Sequence, residues 1–257
     1  HELMDLQNKP GKASTGYMTS LPSLKAPFVF SCFNHTIFDM QVLTHELGHA
    51  FAGYMAMRSQ PISDYYSEST DIAEIHSMSM EQFAYPYAEW FFGDQADKFR
   101  FAHLQEALTF VPFGVAVDEF QHICYAHPEL TPKERTYQWH LLEQKYMPWR
   151  KYDNDAFMER GGYWYHKLHI YLYPFYYINY TLTTMGAMEF KKKYAEDKAA
   201  AWQDYLNLCK VGGSRSYLET LRYANLSDPF EAGSVERACG YAEEILLAQI
   251  AAQEQKA

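Results

Sequence analysis

Two histidines four positions apart, with a glutamate directly after the first, carry the plainest chemistry in this chain: His45-Glu46-Leu47-Gly48-His49. At about 3.6 residues per helical turn, positions i and i+4 stand one above the other, so both imidazoles can face a single metal ion. Glu46 falls about 100° round the helix, close enough to reach a water beside the metal without ligating it. Zinc suits the set, because it accepts imidazole and carboxylate ligands tetrahedrally and leaves one position for water. The chemistry on offer is hydrolysis, with a water made acidic and a carboxylate placed to take its proton.

Such a site needs a third protein ligand. Downstream, Asp71, Glu74, His76 and Glu81 occupy one predicted helix. Glu74 lies 25 positions after His49, enough for the first helix to end, the chain to turn at Pro61 and a second helix to return. Glu74 and Glu81 are seven apart and share a face. Glu74 is therefore the expected ligand, and Glu81 a carboxylate that orients a ligating imidazole, with a solvated helix face as the alternative for Glu81. His76 projects away from Glu74 on an ideal helix and reads as a supporting or core histidine. Asp71 and Glu74 also have the spacing of a capping box.

The elements that must position these residues are mostly helical. Residues 14–33 alternate and carry Gly and Pro punctuation, predicting a short hairpin or small sheet. Helices are predicted at 39–57 and 70–84, then at 97–110, 114–126, 132–146, 174–195, 197–209, 214–224 and 232–253, with turns at Pro112-Phe113-Gly114, Pro148, Gly161-Gly162, Gly212-Gly213 and Asp228-Pro229. Gly212-Gly213-Ser214 reads either as a plain turn or as a loop able to flex over a substrate. No internal repeat or linker-like tract interrupts the 257 residues, which read as one compact unit.

Composition narrows the function classes. The chain is 48% hydrophobic and 21% charged, a folded globular profile rather than a disordered one. A formal charge of −10, from 22 basic and 32 acidic residues, argues against a nucleic-acid surface. No apolar run reaches the roughly 18 residues of a membrane span, and no signal-peptide pattern opens the sequence. Four isolated cysteines suit a reducing, cytoplasmic setting.

The segments Gly11-Lys12 to Gly16-Tyr17, Ala26-Pro27-Phe28, Phe33-Asn34, His45 to Ala50 and Ala73 to Glu81 together resemble the catalytic part of the thimet-oligopeptidase/oligoendopeptidase F family, and its Pz-peptidase-like branch in particular. The likeness covers essentially the whole chain. It implies a mainly α, zincin-like catalytic domain over residues 1–257, with a small β element near the start followed by a helical bundle. It implies one zinc held by His45, His49 and Glu74, Glu46 as general base, and endopeptidase activity on oligopeptides. The long helical region that precedes this part in the family is absent, and the sequence starts at His1 without Met, so the chain reads as the later part of a longer protein whose missing region packs on it.

The stretch from His166 to Tyr180 holds two histidines and five tyrosines. Pro174 suits the first turn of a helix that then carries Tyr176, Tyr177 and Tyr180 on neighbouring turns. A phenol can donate to the oxyanion that develops on a carbonyl under attack. The family resemblance implies this role for His169, Tyr176 and Tyr180, with Tyr173 or Tyr177 if the register differs by one; the alternative for each tyrosine is core packing. Arg150, Arg160 and Arg215 are available to pair with a peptide carboxylate, though nothing in the sequence selects one.

Two other readings compete. Glu46-x-x-His49 and Glu119-x-x-His122, with Glu74 and Glu81, make the ligand inventory of a di-iron carboxylate bundle, but that leaves His45 without a role. A peptide-binding fragment with an intact metal site and no turnover is the third.

Overall fold

The computed structural model describes residues 2–13 and 15–255. Three short strands come first: β1 (Met4–Asp5), β2 (Tyr17–Leu21) and β3 (Ala26–Phe30). Eleven helices follow among the described residues: α1 (Ile37–Ser59), α2 (Thr70–Phe83), α3 (Ala88–Phe92), α4 (Ala96–Ala126), α5 (Pro132–Tyr146), α6 (Ala156–Glu159), α7 (Leu168–Leu172), α8 (Ile178–Glu196), α9 (Lys198–Val211), α10 (Tyr217–Tyr223) and α11 (Ser234–Glu254). The fold is mainly α with a small sheet at the start, as the sequence predicts. No described helix is long and apolar enough to cross a membrane.

The chain forms two compact units, residues 1–105 with 183–257, and residues 106–182. In the first, β2 and β3 make the predicted antiparallel hairpin, with Met18 opposite Val29, and β1 adds in parallel on the far side of β3. Lys12 closes this sheet. Its ammonium donates to the carbonyls of Asp5, Gln7 and Ser31 at 3.1, 2.8 and 2.7 Å, and pairs with the Asp5 carboxylate at 3.1 Å. Asp39, in the first turn of α1, accepts from the backbone N–H groups of Asn34 and His35 at 3.0 and 2.7 Å, which ties the sheet's exit to the helix start.

α1 packs against α2, α9 and the hairpin. Its inward face is a run of small residues, Gly48, Ala52 and Ala56, that lets neighbouring backbones come close. A Cβ on Gly48 would lie 2.6 Å from Ser77 Cα and 2.7 Å from the His76 carbonyl oxygen of α2. Only hydrogen fits there. Around this contact Ile72, Ile75, Phe83, Phe190, Tyr205 and Leu208 form the unit's apolar core.

In the second unit the sequence reading needs two corrections. Pro112-Phe113-Gly114 is not a turn, because Pro112 sits inside the continuous helix α4. Phe113, Ala116, Val117 and Phe120 bury one continuous face of it against Trp139, Leu142 and Trp164, and that packing outweighs the hydrogen bond the proline removes. Gly114 serves close packing: a Cβ there would overlap the Thr181 hydroxyl at 1.9 Å. Nor does Pro174 open a helix. Residues 173–177 form a turn between α7 and α8, with Phe175 at φ +60°, so the long helix begins only at Ile178.

The Gly48 contact makes a direct prediction. Gly48→Ala must push α1 and α2 apart against a close-packed core, at a cost of about 1–3 kcal/mol. Urea unfolding should show that loss in the midpoint, whereas Gly240→Ala on α11, where a Cβ meets nothing within 4 Å, should leave the midpoint unchanged or raise it.

Candidate metal centre

The approach of α1 and α2 decides the site's geometry. Glu74, one turn into α2, directs its carboxylate at the exposed edge of the two α1 histidines. Glu74 Oε2 is 3.0 Å from His45 Nε2 and 3.3 Å from His49 Nε2, and the two imidazoles meet edge-on at 4.9 Å. Among the described residues this is the one group of His, Cys, Asp or Glu atoms arranged to hold a metal ion, all three within 4.8 Å of one another. Ligand atoms about 2.0–2.1 Å from a tetrahedral zinc lie about 3.3 Å apart, so the spacing and the N, N, O donor set both fit that ion. Ser77 steadies the carboxylate, its hydroxyl donating to Glu74 Oε2 at 3.0 Å. The capping-box reading of Asp71 and Glu74 does not hold: Ser69 is the N-cap of α2, without a side-chain hydrogen bond.

Glu81, two turns further along the same face, reaches His45 from the other side, with Oε1 2.6 Å from Nδ1. A carboxylate only accepts, so Nδ1 donates to Glu81, and Nε2, which faces Glu74 at 3.0 Å, is the nitrogen a metal ion would take in place of a proton. Burial works against charge on His45, but hydrogen bonds to Glu74 and Glu81 outweigh it and hold the imidazole's pKa well above the usual range. Glu74 shows the converse: burial opposes its ionisation, yet the two histidines keep it far below the ordinary carboxylate range. The imidazoles and carboxylates of the cluster thus stabilise each other's charged forms.

Glu46 stands apart from these pairs. It is 6% exposed, a backbone hydrogen bond from Met18 reaches its carboxylate, and its Oε2 has no partner. Burial raises its pKa, against the pull of His45 and His49. A carboxylate with an idle oxygen and a raised proton affinity is suited to accept a proton.

Comparison with known proteins places the chain in a family. A model of peptidase family M3 matches residues 1–240. The chain belongs to peptidase family M3. It is 25% identical over 229 residues to an oligoendopeptidase F homolog of Borreliella burgdorferi, covering 85% of this chain and 37% of that protein. It is 23% identical over 252 residues to the oligopeptidase PepF of Bacillus subtilis, covering 95% and 36%. The structure of a Pz peptidase A with an inhibitor superposes with a TM-score of 0.86 at 49% identity, over 96% of this chain and 44% of that one. The M3 chain thus spans less than half the length of these relatives.

Other candidate residues of the M3 chain fall as follows. His76 is a core histidine: it is 1% exposed and 3.2 Å from the Glu68 carboxylate, turned away from the cluster. In the second unit, His169 sits among tyrosine rings, with centroids at 6.1 Å for Tyr173, 6.2 Å for Tyr176, 5.0 Å for Tyr177 and 6.0 Å for Tyr180. Tyr177 is core; Tyr176 lies in the turn before α8, and Tyr180 on the helix. Glu119 is held by Lys145 at 2.9 Å and by Tyr146, and His122 lies 3.4 Å from Asp118, so neither offers the free ligand a di-iron centre needs. Arg150 pairs with Glu143, while Arg160 and Arg215 lie over the rings of Phe157 and Tyr223. Gly212 and Gly213 form a turn fixed against residue 65, whose carbonyl accepts from Gly213 N–H at 3.1 Å.

Sequence reasoning missed His103 and Tyr85. His103 Nε2 is 2.6 Å from Glu81 Oε2, and Tyr85 Oη is 2.7 Å from His103 Nδ1. Neither stands at a motif spacing. Lys191 of α8 lies 3.8 Å from the Tyr85 ring centroid, and burial, with Arg100 nearby, lowers its pKa to about 8.

Lys191 gives a pH prediction. The unfolded lysine keeps its proton to about pH 10.4, whereas the folded one loses it near 8. The unfolded state therefore binds more protons between those values, and folding stability should rise with pH across that window. Lys191→Met should raise the unfolding midpoint at pH 7 and flatten the rise; equal pH profiles for the two proteins would contradict it.

Proposed function

We propose that this chain is the zinc-binding, hydrolytic part of an oligopeptidase that cleaves internal peptide bonds. The observation that carries the reading is the set of His45, His49 and Glu74 with Glu46 beside it, dry and half unpartnered, in a chain of family M3. His45, His49 and Glu74 would hold the ion. A zinc ion so held supplies Lewis acidity, polarising a carbonyl and bringing the pKa of water to about 7.

The protein's own part falls on Glu46. Its carboxylate takes the proton from the water that attacks the scissile carbon, and the same group then delivers that proton to the leaving amine. Burial, which raises its proton affinity, suits both halves of that cycle. Glu81 keeps His45 in the tautomer that leaves Nε2 available. For His169, Tyr176 and Tyr180 we propose the part the family resemblance implies, donation to the developing oxyanion; the support is the chemistry of the phenol and the gathering of these rings around one imidazole. Oligopeptides as substrates, and a further region of the same protein that helps enclose them, are proposed from relatives more than twice this chain's length.

The test is hydrolysis of a quenched fluorescent oligopeptide, with metal content measured in parallel. Glu46→Gln should keep about one zinc per chain and lose at least about 10²-fold in kcat, the usual worth of a general base. His49→Ala should lose the zinc. Tyr176→Phe should lower kcat with zinc content unchanged. A Glu46→Gln protein that cleaves at the wild-type rate, or two irons per chain, would overturn the reading.

A further inference from the structure

The metal ligands do not end the hydrogen-bonded structure on this side of α1. Glu81 has both oxygens engaged, Oε1 by His45 Nδ1 and Oε2 by His103 Nε2, each at 2.6 Å. His103 in turn meets the Tyr85 hydroxyl through Nδ1 at 2.7 Å. The four side chains come from three helices and a turn: His45 from α1, Glu81 from α2, Tyr85 from the turn after α2 and His103 from α4. All are largely withdrawn from water; Glu81 and His103 expose 13% and 10% of their side chains.

Proton inventory gives this row a direction. Glu81 has no proton to give, so both imidazoles must donate to it. His45 therefore donates from Nδ1, which leaves Nε2 as the nitrogen a metal ion would take. His103 donates from Nε2, and as a neutral imidazole it keeps a lone pair on Nδ1, which accepts the Tyr85 O–H. Each donor of the row meets an acceptor.

The far end is anchored by a second set of contacts. Arg100, one turn before His103 on α4, donates to the Tyr85 carbonyl from Nε at 3.1 Å and from Nη2 at 2.8 Å, and pairs with Glu89 at 2.6 Å. One helix face thus grips residue 85 twice, by its carbonyl and by its phenol. Phe99 stacks on the His103 ring with 5.5 Å between centroids and 13° between planes, which leaves the imidazole little freedom to turn.

We propose that His103, supported by Tyr85, is a positioning residue for the metal ligand His45, acting through Glu81. The proposal rests on the zinc-peptidase reading above and adds residues to it. Without His103, Glu81 Oε2 is a buried carboxylate oxygen with no donor. The carboxylate rotates to find one, and the hydrogen bond that fixes the ring plane and tautomer of His45 goes with it. A partner of a metal-bound histidine of this kind is worth about 10–100-fold in metal affinity.

The experiment measures zinc affinity by competition with a chromophoric chelator at one pH, on the whole chain, alongside urea unfolding of the metal-free proteins and kcat and KM for peptide cleavage. His103→Ala should weaken zinc binding by about tenfold or more, and its zinc-saturated form should lose kcat with KM little changed. His103→Gln, whose amide offers an N–H toward Glu81 and an oxygen toward Tyr85, should bind zinc within about threefold of wild type. Tyr85→Phe, which deletes one oxygen and disturbs packing least, should weaken zinc by a smaller factor than His103→Ala and keeps the proposal testable if that variant does not fold. Wild-type affinity in both His103→Ala and Tyr85→Phe overturns the proposal and leaves the peptidase reading standing. A His103→Gln variant as weak as His103→Ala, or a loss that tracks unfolding rather than zinc, overturns it also. A wild-type chain that binds no zinc sinks both.

Discussion

Everything in the site depends on how closely the backbones of α1 and α2 approach at Gly48. A Cβ at that position would collide with Ser77 Cα and the His76 carbonyl, both in the turn of α2 that follows Glu74. The absence of a side chain lets α2 lie close enough for a carboxylate of ordinary length to meet two imidazoles at once, with Oε2 within 3.3 Å of both Nε2 atoms. The same approach places Glu81, seven residues on, against the opposite nitrogen of His45. A wider spacing, as two leucine-faced helices would impose, takes Glu74 away from one histidine or both. The glycine inside the motif is thus part of the site's geometry, although it touches nothing that reacts.

Gathering such groups in one dry place is costly, and the structure offsets the cost by pairing. Glu74, Glu81 and Glu68 are each buried with a histidine, and each is held ionised against its own desolvation by that partner. A carboxylate without such a partner would neutralise. Glu46 lies on the other side of this division. It receives a backbone hydrogen bond from Met18 but no imidazole, and its pKa is raised. Two kinds of glutamate therefore serve one site: ionised ones that orient and hold, and one, on α1, whose proton affinity suits it to proton transfer.

What the sequence made legible follows from range. The pair His45 and His49 is readable because its geometry is local to one helix, and Glu74 with Glu81 because seven positions return to one face. The hairpin was readable from alternation, but β1 was not, since two residues carry no period; it pairs through backbone groups that any side chains would supply. Pro112 and Pro174 misled for a common reason. Proline reports a local preference, and in α4 the burial of Phe113, Ala116 and Phe120 overrides it, while at 173–177 a turn with Phe175 in the left-handed region delays the helix. His103 lies 22 residues beyond Glu81 in another helix, and its place is set by the angle at which α4 crosses, which no local pattern encodes.

The same distinction explains why the hairpin belongs to the site rather than beside it. A Cβ on Gly16 would lie 2.5 Å from Val42 Cγ1 and 3.5 Å from Glu46 Oε1, so the strand's approach is set against α1 at the level of the base. From there Met18, two residues along, reaches Glu46 with its N–H. A single backbone donor is enough to hold the carboxylate in place, and too little to satisfy it, which leaves Oε2 as the acceptor with work to do. Glycine at 16 and glycine at 48 thus bracket Glu46 from two sides: one admits the strand that steadies the base, the other admits the helix that brings the third ligand. Hydrogen in place of a side chain at two positions, more than any polar contact, is what lets one helix carry both a metal cradle and a proton acceptor.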